Sequence, residues 1–331
     1  MKTEILTLLR ETDGYVSGQE LCEKFGVSRT AVWKAINQLK EAGYEIEAVQ
    51  NKGYRLVSVP DILSESELQS VRKTRWIGEK IAFFDVVDST NTRAKQLAEE
   101  GAPNGTYVIA ERQDAGKGRR GRGFDSPAGQ GIWMTLVLKP EIDPNHASMI
   151  TLVTALAVSK AITDMTGRPA GIKWPNDIYW KDRKICGMLI ENTLVGRCIE
   201  NCIIGAGINI NQQTFCSDAP NPVSLRQITG KEQEPVFILA DTVKRFKDYY
   251  RKIQQGQTED IVRNYRERLY RYNGFHLYQD ADGVFEAEIH DVEPTGHLVL
   301  ADRDGVTRRY AFKEVSHLIP SDTTPSAPFV L

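Results

Sequence analysis

Residues 28–58, SRTAVWKAINQLKEAGYEIEAVQNKGYRLVS, change hydrophobic period part-way along, and that change decides how the first sixty residues fold. From Arg29 to Ala42 the apolar residues Val32, Ile36 and Leu39 recur at steps of four and three. This spacing predicts an amphipathic helix with Arg29, Thr30, Trp33, Lys34 and Asn37 off its apolar face. Ser28 is placed to cap its start, and Gly26 permits the turn before it. Beyond Gly43 the period shortens to two. YEIEAV and YRLVSV flank the turn-rich tetrapeptide Gln50-Asn51-Lys52-Gly53, which predicts a hairpin. Two shorter segments of helical spacing, ILTLLRE and QELCEKFG, come first. Residues 1–60 therefore read as a helix-turn-helix module with a two-stranded wing. In that plan Arg29, Thr30, Lys34 and Asn37 are candidates for the major groove of DNA, with Lys52 and Arg55 on the wing.

The chain has 331 residues, more than one hydrophobic core usually serves, so two or three domains are expected. Pro60 and the polar run DILSESEL mark a boundary. Ser64 and Glu67 have capping-box spacing there, so 61–79 is read as a linker helix. Residues 80–271 mix the two periods. IAFFDVV reads as a strand, NTRAKQLAEEG as a helix closed by Gly101, and TYVIAER and IWMTLVLKP as strands around a glycine-rich loop. A helix is expected from about 147 to 165, strands around Ile172, through KICGMLIEN and through CIIGAGINI, and two amphipathic helices between Val236 and Arg271. Without strict alternation this is α+β rather than doubly wound. From 272 to 320 short alternating segments (FHLYQ, FEAEIHDV, HLVLAD, RRYAF) separated by glycines read as a small β-barrel. The residues 321–331, SDTTPSAPFVL, read as a loose tail.

A net charge of −2 excludes a globally basic coat for nucleic acid, so DNA contact must be local. The first residues, MKTEILTLLRETDG, lack the apolar core of a signal peptide, and residence in the cytoplasm without a membrane partner is expected. Five cysteines without a CxxC pair read as reduced thiols, and no metal site is expected. Cys198 and Cys202, four apart in a predicted strand, are expected to face the same side.

The run Gly116-Lys117-Gly118-Arg119-Arg120-Gly121-Arg122-Gly123 alternates glycines with four cations. It contains GxGxxG, but a dinucleotide fold needs a helix to open there, and FDSPAGQG follows instead. Such a loop suits a polyphosphate, because glycines let backbone amides approach while cations surround the anion. Four more segments carry polar chemistry. Asp88-Ser89-Thr90-Asn91 sits at a strand-to-helix junction, where short side chains cap the helix or bind a small ligand. Lys173-Trp174-Pro175-Asn176-Asp177 places a cation, an aromatic and an acid around a rigid turn, and Arg183-Lys184 opens the next strand. Gly205-Ala206-Gly207-Ile208-Asn209-Ile210-Asn211 is a strand end that backbone-hugging ligands approach closely.

These five segments, in this order, resemble the biotin protein ligases, and the N-terminal winged helix narrows the resemblance to the bifunctional ligase and repressor subgroup. It spans about residues 80–319. The resemblance implies a class II synthetase-like ligase domain, a C-terminal SH3-like barrel, biotin and ATP as substrates, and Mg²⁺. It also implies a biotin-accepting carboxylase domain and operator DNA of biotin genes as partners, with a homodimer when the adenylate is bound. Ser89, Thr90, Asn91, Gln113, Lys117, Gly118 and Arg119 are implied to contact biotin, and Lys184 its carboxylate. Gly116, Arg120, Arg122, Phe124, Lys173, Asn209 and Asn211 are implied to form the ATP and adenylate side. Lys184, Arg119 and Asp177 are the implied catalytic set. Departures are Lys117 where the family commonly has arginine, Phe124 where tryptophan is common, and Lys313 where a glycine usually precedes the Glu. Two rival readings are a lipoate ligase-like enzyme and a non-catalytic, ligand-sensing regulator.

Overall fold

The computed structural model describes residues 1–59, 68, 70, 80–116, 123–124, 126–196, 198–216 and 221–318. The expected linker helix 61–79, with its Ser64–Glu67 box, lies outside these residues except for Leu68 and Ser70, both helical; the tail 321–331 lies outside them entirely.

The N-terminal module has helices α1 (Lys2–Glu11), α2 (Gly18–Phe25) and α3 (Arg29–Glu41), then strands β1 (Glu45–Val49) and β2 (Gly53–Ser58). Both inner helices are capped as their sequence dictates: Ser17 accepts from the Glu20 amide at 3.0 Å and Ser28 from the Ala31 amide at 3.3 Å. Val16 extends the wing by exchanging backbone bonds with Tyr54. Ile5, Leu9, Leu21, Val32, Ile36, Leu39 and Ile46 close a core whose members all precede residue 60.

The central sheet is built from β3 (Ile81–Val87), β4 (Thr106–Gln113), β5 (Gly131–Leu138), β6 (Gly171–Lys173), β7 (Asp177–Trp180), β8 (Arg183–Val195) and β9 (Cys198–Asn209). Their spatial order is β3-β4-β5-β9-β8-β7-β6. Only β3 and β4 run parallel, joined by α4 (Thr90–Glu99); every other neighbouring pair is antiparallel. Helices α5 (Ala147–Thr166), α6 (Leu225–Thr229), α7 (Pro235–Gln254) and α8 (Glu259–Arg266) complete the unit. Strand β5 is buried throughout because the sheet is covered on both faces. Ile132, Met134, Leu136 and Leu138 share a core with α5 and α7, whereas Val137 packs with Ala94 and Ala98 of α4. The alternation therefore aims Trp133 and Thr135 at the α4 face, together with Ile203, Gly205 and Gly207 of β9. Helix α5 is long and apolar enough to cross a membrane (mean hydropathy 1.3), but 72% of that stretch is buried, as befits the central helix of a core.

The third unit is a five-stranded antiparallel sheet of β10 (His276–Gln279), β11 (Val284–Val292), β12 (Leu298–Ala301), β13 (Thr307–Tyr310) and β14 (Ser316–His317), in the order β13-β12-β11-β10-β14. Its Tyr278, Ile289, Leu298 and Leu300 belong to the same core as α5. The Trp174 indole donates to the Gly296 carbonyl at 3.0 Å and packs edge-on against Phe312, which fastens this sheet to the central one.

Cys198 and Cys202 do not share a face: Cys198 is exposed and Cys202 is buried. The register explains the difference. Thr193 pairs with Asn201 but Leu194 with Ile199, so Glu200 is an extra residue, and the bulge inverts the alternation between the two cysteines.

Candidate active site

The α4 face of the central sheet gathers most of the described site residues. Ser89 occupies the N-cap position of α4, yet its hydroxyl makes no capping bond, contrary to the sequence expectation. Gln113 at the end of β4 performs that role, its Oε1 accepting from the Thr90 amide (2.8 Å) and from Thr90 Oγ1 (3.0 Å). The Ser89 side chain is buried without that duty. Thr135, which sequence reasoning missed, lies beneath and offers its hydroxyl to Thr90 Oγ1 at 2.8 Å and Asn91 Oδ1 at 2.7 Å. Its signal is a lone hydroxyl within the otherwise apolar IWMTLVL. Asn91 Nδ2 donates to Glu191 Oε2 at 3.1 Å, and Glu191 is held in turn by Lys95 at 2.7 Å. The glycines of β9 make room for this network. A Cβ on Gly205 would fall 1.9 Å from Asn91 Oδ1, so only glycine admits the asparagine there.

The ends of the glycine- and arginine-rich loop meet. The Phe124 amide donates to the Gly116 carbonyl at 2.9 Å, and Gln113 Nε2 donates to Ser126 Oγ at 2.9 Å. Lys117, Gly118, Arg119, Arg120 and Arg122 lie outside the described residues. The Phe124 ring lies on β9, where a Cβ on Gly207 would stand 2.7 Å from it, and meets Trp133 edge-on with centroids 5.8 Å apart.

Next to that ring, across Gly187 of β8, is Lys184. Its Nζ is 3.0 Å from Asp177 Oδ1, with both side chains partly shielded. Strands β7 and β8 bring the pair together, since Asp177 pairs with Gly187 and the register shifts by one residue before Lys184. Asn176 beside it anchors the turn by donating to the Met188 carbonyl at 2.7 Å. Buried Cys186 is no rival nucleophile, because burial pushes its thiol pKa up more strongly than Lys184 draws it down.

The other sequence candidates divide. Lys173 pairs with Asp177 across β6 and β7, and its Nζ lies over the Tyr179 ring, 4.8 Å from the centroid. The Asn209 amide is buried and donates toward the carbonyls of Val223 (3.4 Å) and Lys184 (3.5 Å), while Gln212 donates to its oxygen at 3.0 Å. Asn211 clasps the backbone of Gln233 at 2.9 Å in both directions. These two asparagines thus pin residues 221–224, the start of β8 and the approach to α7 against the end of β9. In the N-terminal module Arg29, Thr30, Lys34, Lys52 and Arg55 are exposed and Asn37 is half-exposed. Arg55 is bound to Glu47 at 2.7 Å, and Tyr15 donates to the same carboxylate at 2.6 Å. The Tyr15 hydrogen bond first, and Arg55 second, hold the Glu47 carboxyl below its usual pKa.

The sequence pattern of the Biotin/lipoate A/B protein ligase family matches residues 83–209, and that of an HTH domain matches 2–55. The bifunctional ligase/repressor BirA of Bacillus subtilis (strain 168) is 35% identical over 313 residues, covering 90% of this chain and 92% of the relative. Its Escherichia coli (strain K12) counterpart is 34% identical over 194 residues, covering 59% of each chain. Among solved structures, the biotin protein ligase from Aquifex aeolicus in complex with biotin and ATP superposes with a TM-score of 0.62 at 26% identity, covering 72% of this chain and 98% of that one. The chain belongs to the bifunctional ligase/repressors of the biotin protein ligase family.

Proposed function

We propose that this protein is an ATP-dependent biotin protein ligase that also acts as a biotin-responsive repressor. The observation that carries the reading is the Lys184–Asp177 pair at 3.0 Å beside the Phe124 ring, on the glycine-lined face where Thr90, Asn91 and Gln113 form one hydrogen-bonded row. In the first step a biotin carboxylate oxygen attacks the α-phosphorus of ATP. The bond from that phosphorus to the bridging oxygen breaks, and pyrophosphate leaves. In the second step a neutral lysine amine of an acceptor carboxylase domain attacks the acyl carbon; AMP leaves with the bonding pair and the amine sheds a proton.

Carboxylate and triphosphate repel, so a fixed cation between them lowers the barrier. Lys184 holds the carboxylate and, with Arg119, Arg120 and Arg122, offsets the phosphate charge. Asp177 keeps the Lys184 ammonium aimed and, in this reading, orients the incoming amine. Ser89, Thr90, Asn91, Gln113, Lys117 and Gly118 hold biotin. Gly116, Phe124, Lys173, Asn209 and Asn211 shape the nucleotide side, the two asparagines by fixing backbone rather than by touching base. Mg²⁺ would arrive with the triphosphate, a mode of binding that needs no dedicated protein cage. When bound it supplies further charge neutralisation at the phosphates.

The same reading assigns 1–60 to operator DNA, 61–79 to a linker helix, 80–271 to a class II synthetase-like ligase, 272–320 to an SH3-like barrel and 321–331 to a loose tail, with a homodimer forming in the cytoplasm when adenylate is bound. Incubating the full chain with ATP, labelled biotin and a purified acceptor domain tests it. Label on the acceptor lysine is expected; label from lipoate alone would favour the lipoate-ligase reading, and none from either a purely sensory protein.

A further inference from the structure

We infer that Trp33 reads thymine in the operator, its indole packing against the C5-methyl group in the major groove. This rests on the DNA-binding reading above. Of the described tryptophans, Trp133 and Trp174 are buried and Trp180 is half-buried with Lys181 over its ring, but Trp33 is 59% exposed. The core does not require it: α3 turns Val32, Ala35, Ile36 and Leu39 inward, and these four complete the packing against α1 and α2. Trp33 stands off that apolar face, four residues from Arg29 and four from Asn37, so the three line up along one exposed strip with Thr30 and Lys34 beside them.

That face has a sign. No acidic side chain occurs from Ser28 to Lys40, whereas α1 carries Glu4 and Glu11 and α2 carries Glu20 and Glu23. A module balanced overall has therefore kept its acids off the first three turns of α3, Glu41 coming only as its last residue, and the complementary occupant of those turns is a polyanion. Arg29 and Lys34 suit phosphates or guanine, Asn37 suits adenine, and a large apolar ring among them has one matching group on the major-groove edges, the thymine methyl. Removing that contact returns both the ring face and the methyl to water.

The test uses the full-length protein with biotin and ATP and a duplex selected by it from a random-sequence pool. Each thymine is replaced in turn by deoxyuridine, which deletes the methyl and leaves base pairing intact. Wild type is expected to lose about four-fold in affinity at one thymine per half-site, the effect of withdrawing one methyl-sized group from apolar contact. Trp33→Ala, verified as folded by its far-UV circular dichroism, should bind more weakly and be indifferent to that replacement; Trp33→Phe should retain part of the sensitivity. Equal sensitivity in wild type and Trp33→Ala, or no sensitive thymine in the wild type, would overturn the inference while leaving DNA binding standing. Failure of the wild type to select any duplex would overturn both.

Discussion

At the scale of single residues, Lys184 and His317 differ in what their surroundings ask of them. Lys184 is partly exposed and pairs with one carboxylate, so the fold does not depend on it. Lys184→Ala is expected to lower biotinyl-5'-AMP formation by at least about a hundredfold, the usual effect of deleting a group that stabilises developing charge. Its urea unfolding midpoint should stay near that of the wild type. Near-normal adenylation would remove Lys184 from the mechanism. His317 has the reverse character. It is buried against Tyr278 and Tyr270, and burial first, with Lys173, Arg271 and His276 adding repulsion, lowers its pKa to about 3 from 6.5. Because the folded pKa is depressed, the unfolded chain binds the proton first as pH falls through 6.5, and stability declines until about pH 3. At pH 5 the loss from this one group is roughly 2 kcal/mol relative to pH 8. His317→Asn should flatten that part of a urea-denaturation series between pH 8 and 5; an unchanged slope would show that other groups carry it.

Elements show where sequence reading succeeds and where it stops. The helices and hairpin of the N-terminal module depend on spacing and caps within a few residues, and Ser28, Gly26 and the alternation around Gln50–Gly53 are local signals that survive into the structure. Helix α6 carries an equally local signal, since Ser224 and Gln227 form a full capping box. What a single strand cannot reveal is its neighbour. Strand β9 lies between β5 and β8, and that placement alone brings Gly205 to Asn91 and Gly207 to Phe124. The Glu200 bulge is invisible for the same reason, because it exists only relative to β8. The side-chain bonds of Asn209 depend likewise on residues 221–224 returning to β8. One element-level expectation concerns the N-terminal module. Its core is self-contained, and its described ties to the rest of the chain include Thr7 donating to the Ser70 carbonyl at 3.2 Å and Arg10 stacking over Phe237 of α7 at 5.6 Å. A chain starting at Asp61 should therefore still biotinylate an acceptor, within about tenfold of the full protein. Loss of activity in a truncated chain with native circular dichroism would show that the module contributes to the ligase site.

At the scale of the whole molecule, the two activities meet through charge and copy number. The first 58 residues hold eight basic and eight acidic side chains, so the module has no net attraction for a polyanion. Part of its positive charge is committed as well, since Arg55 is bound to Glu47. Phosphate contacts supply most non-specific affinity, and a module with so few free cations binds weakly alone. In the proposed homodimer two modules would share one duplex, the second engaging at an effective concentration set by the first. Ligand enters this scheme at the ligase face. The end of β9 is held to the start of α7 by Asn211 and Gln233, and α7 carries Phe237, on which Arg10 of the DNA-binding module rests. Filling the site with adenylate therefore acts on a surface continuous with the module, and a site already ordered by ligand loses less entropy when a second copy docks. Biotin and ATP together are expected to raise affinity for a biotin-gene promoter fragment by at least about tenfold, with sedimentation shifting from monomer to dimer over the same ligand range. The response should weaken steeply with salt, because phosphate neutralisation is summed over two modules. Equal DNA affinity with and without the two ligands would separate the repressor from the ligase. A ligand-independent dimer would place the control elsewhere, in the orientation of the modules rather than in their number.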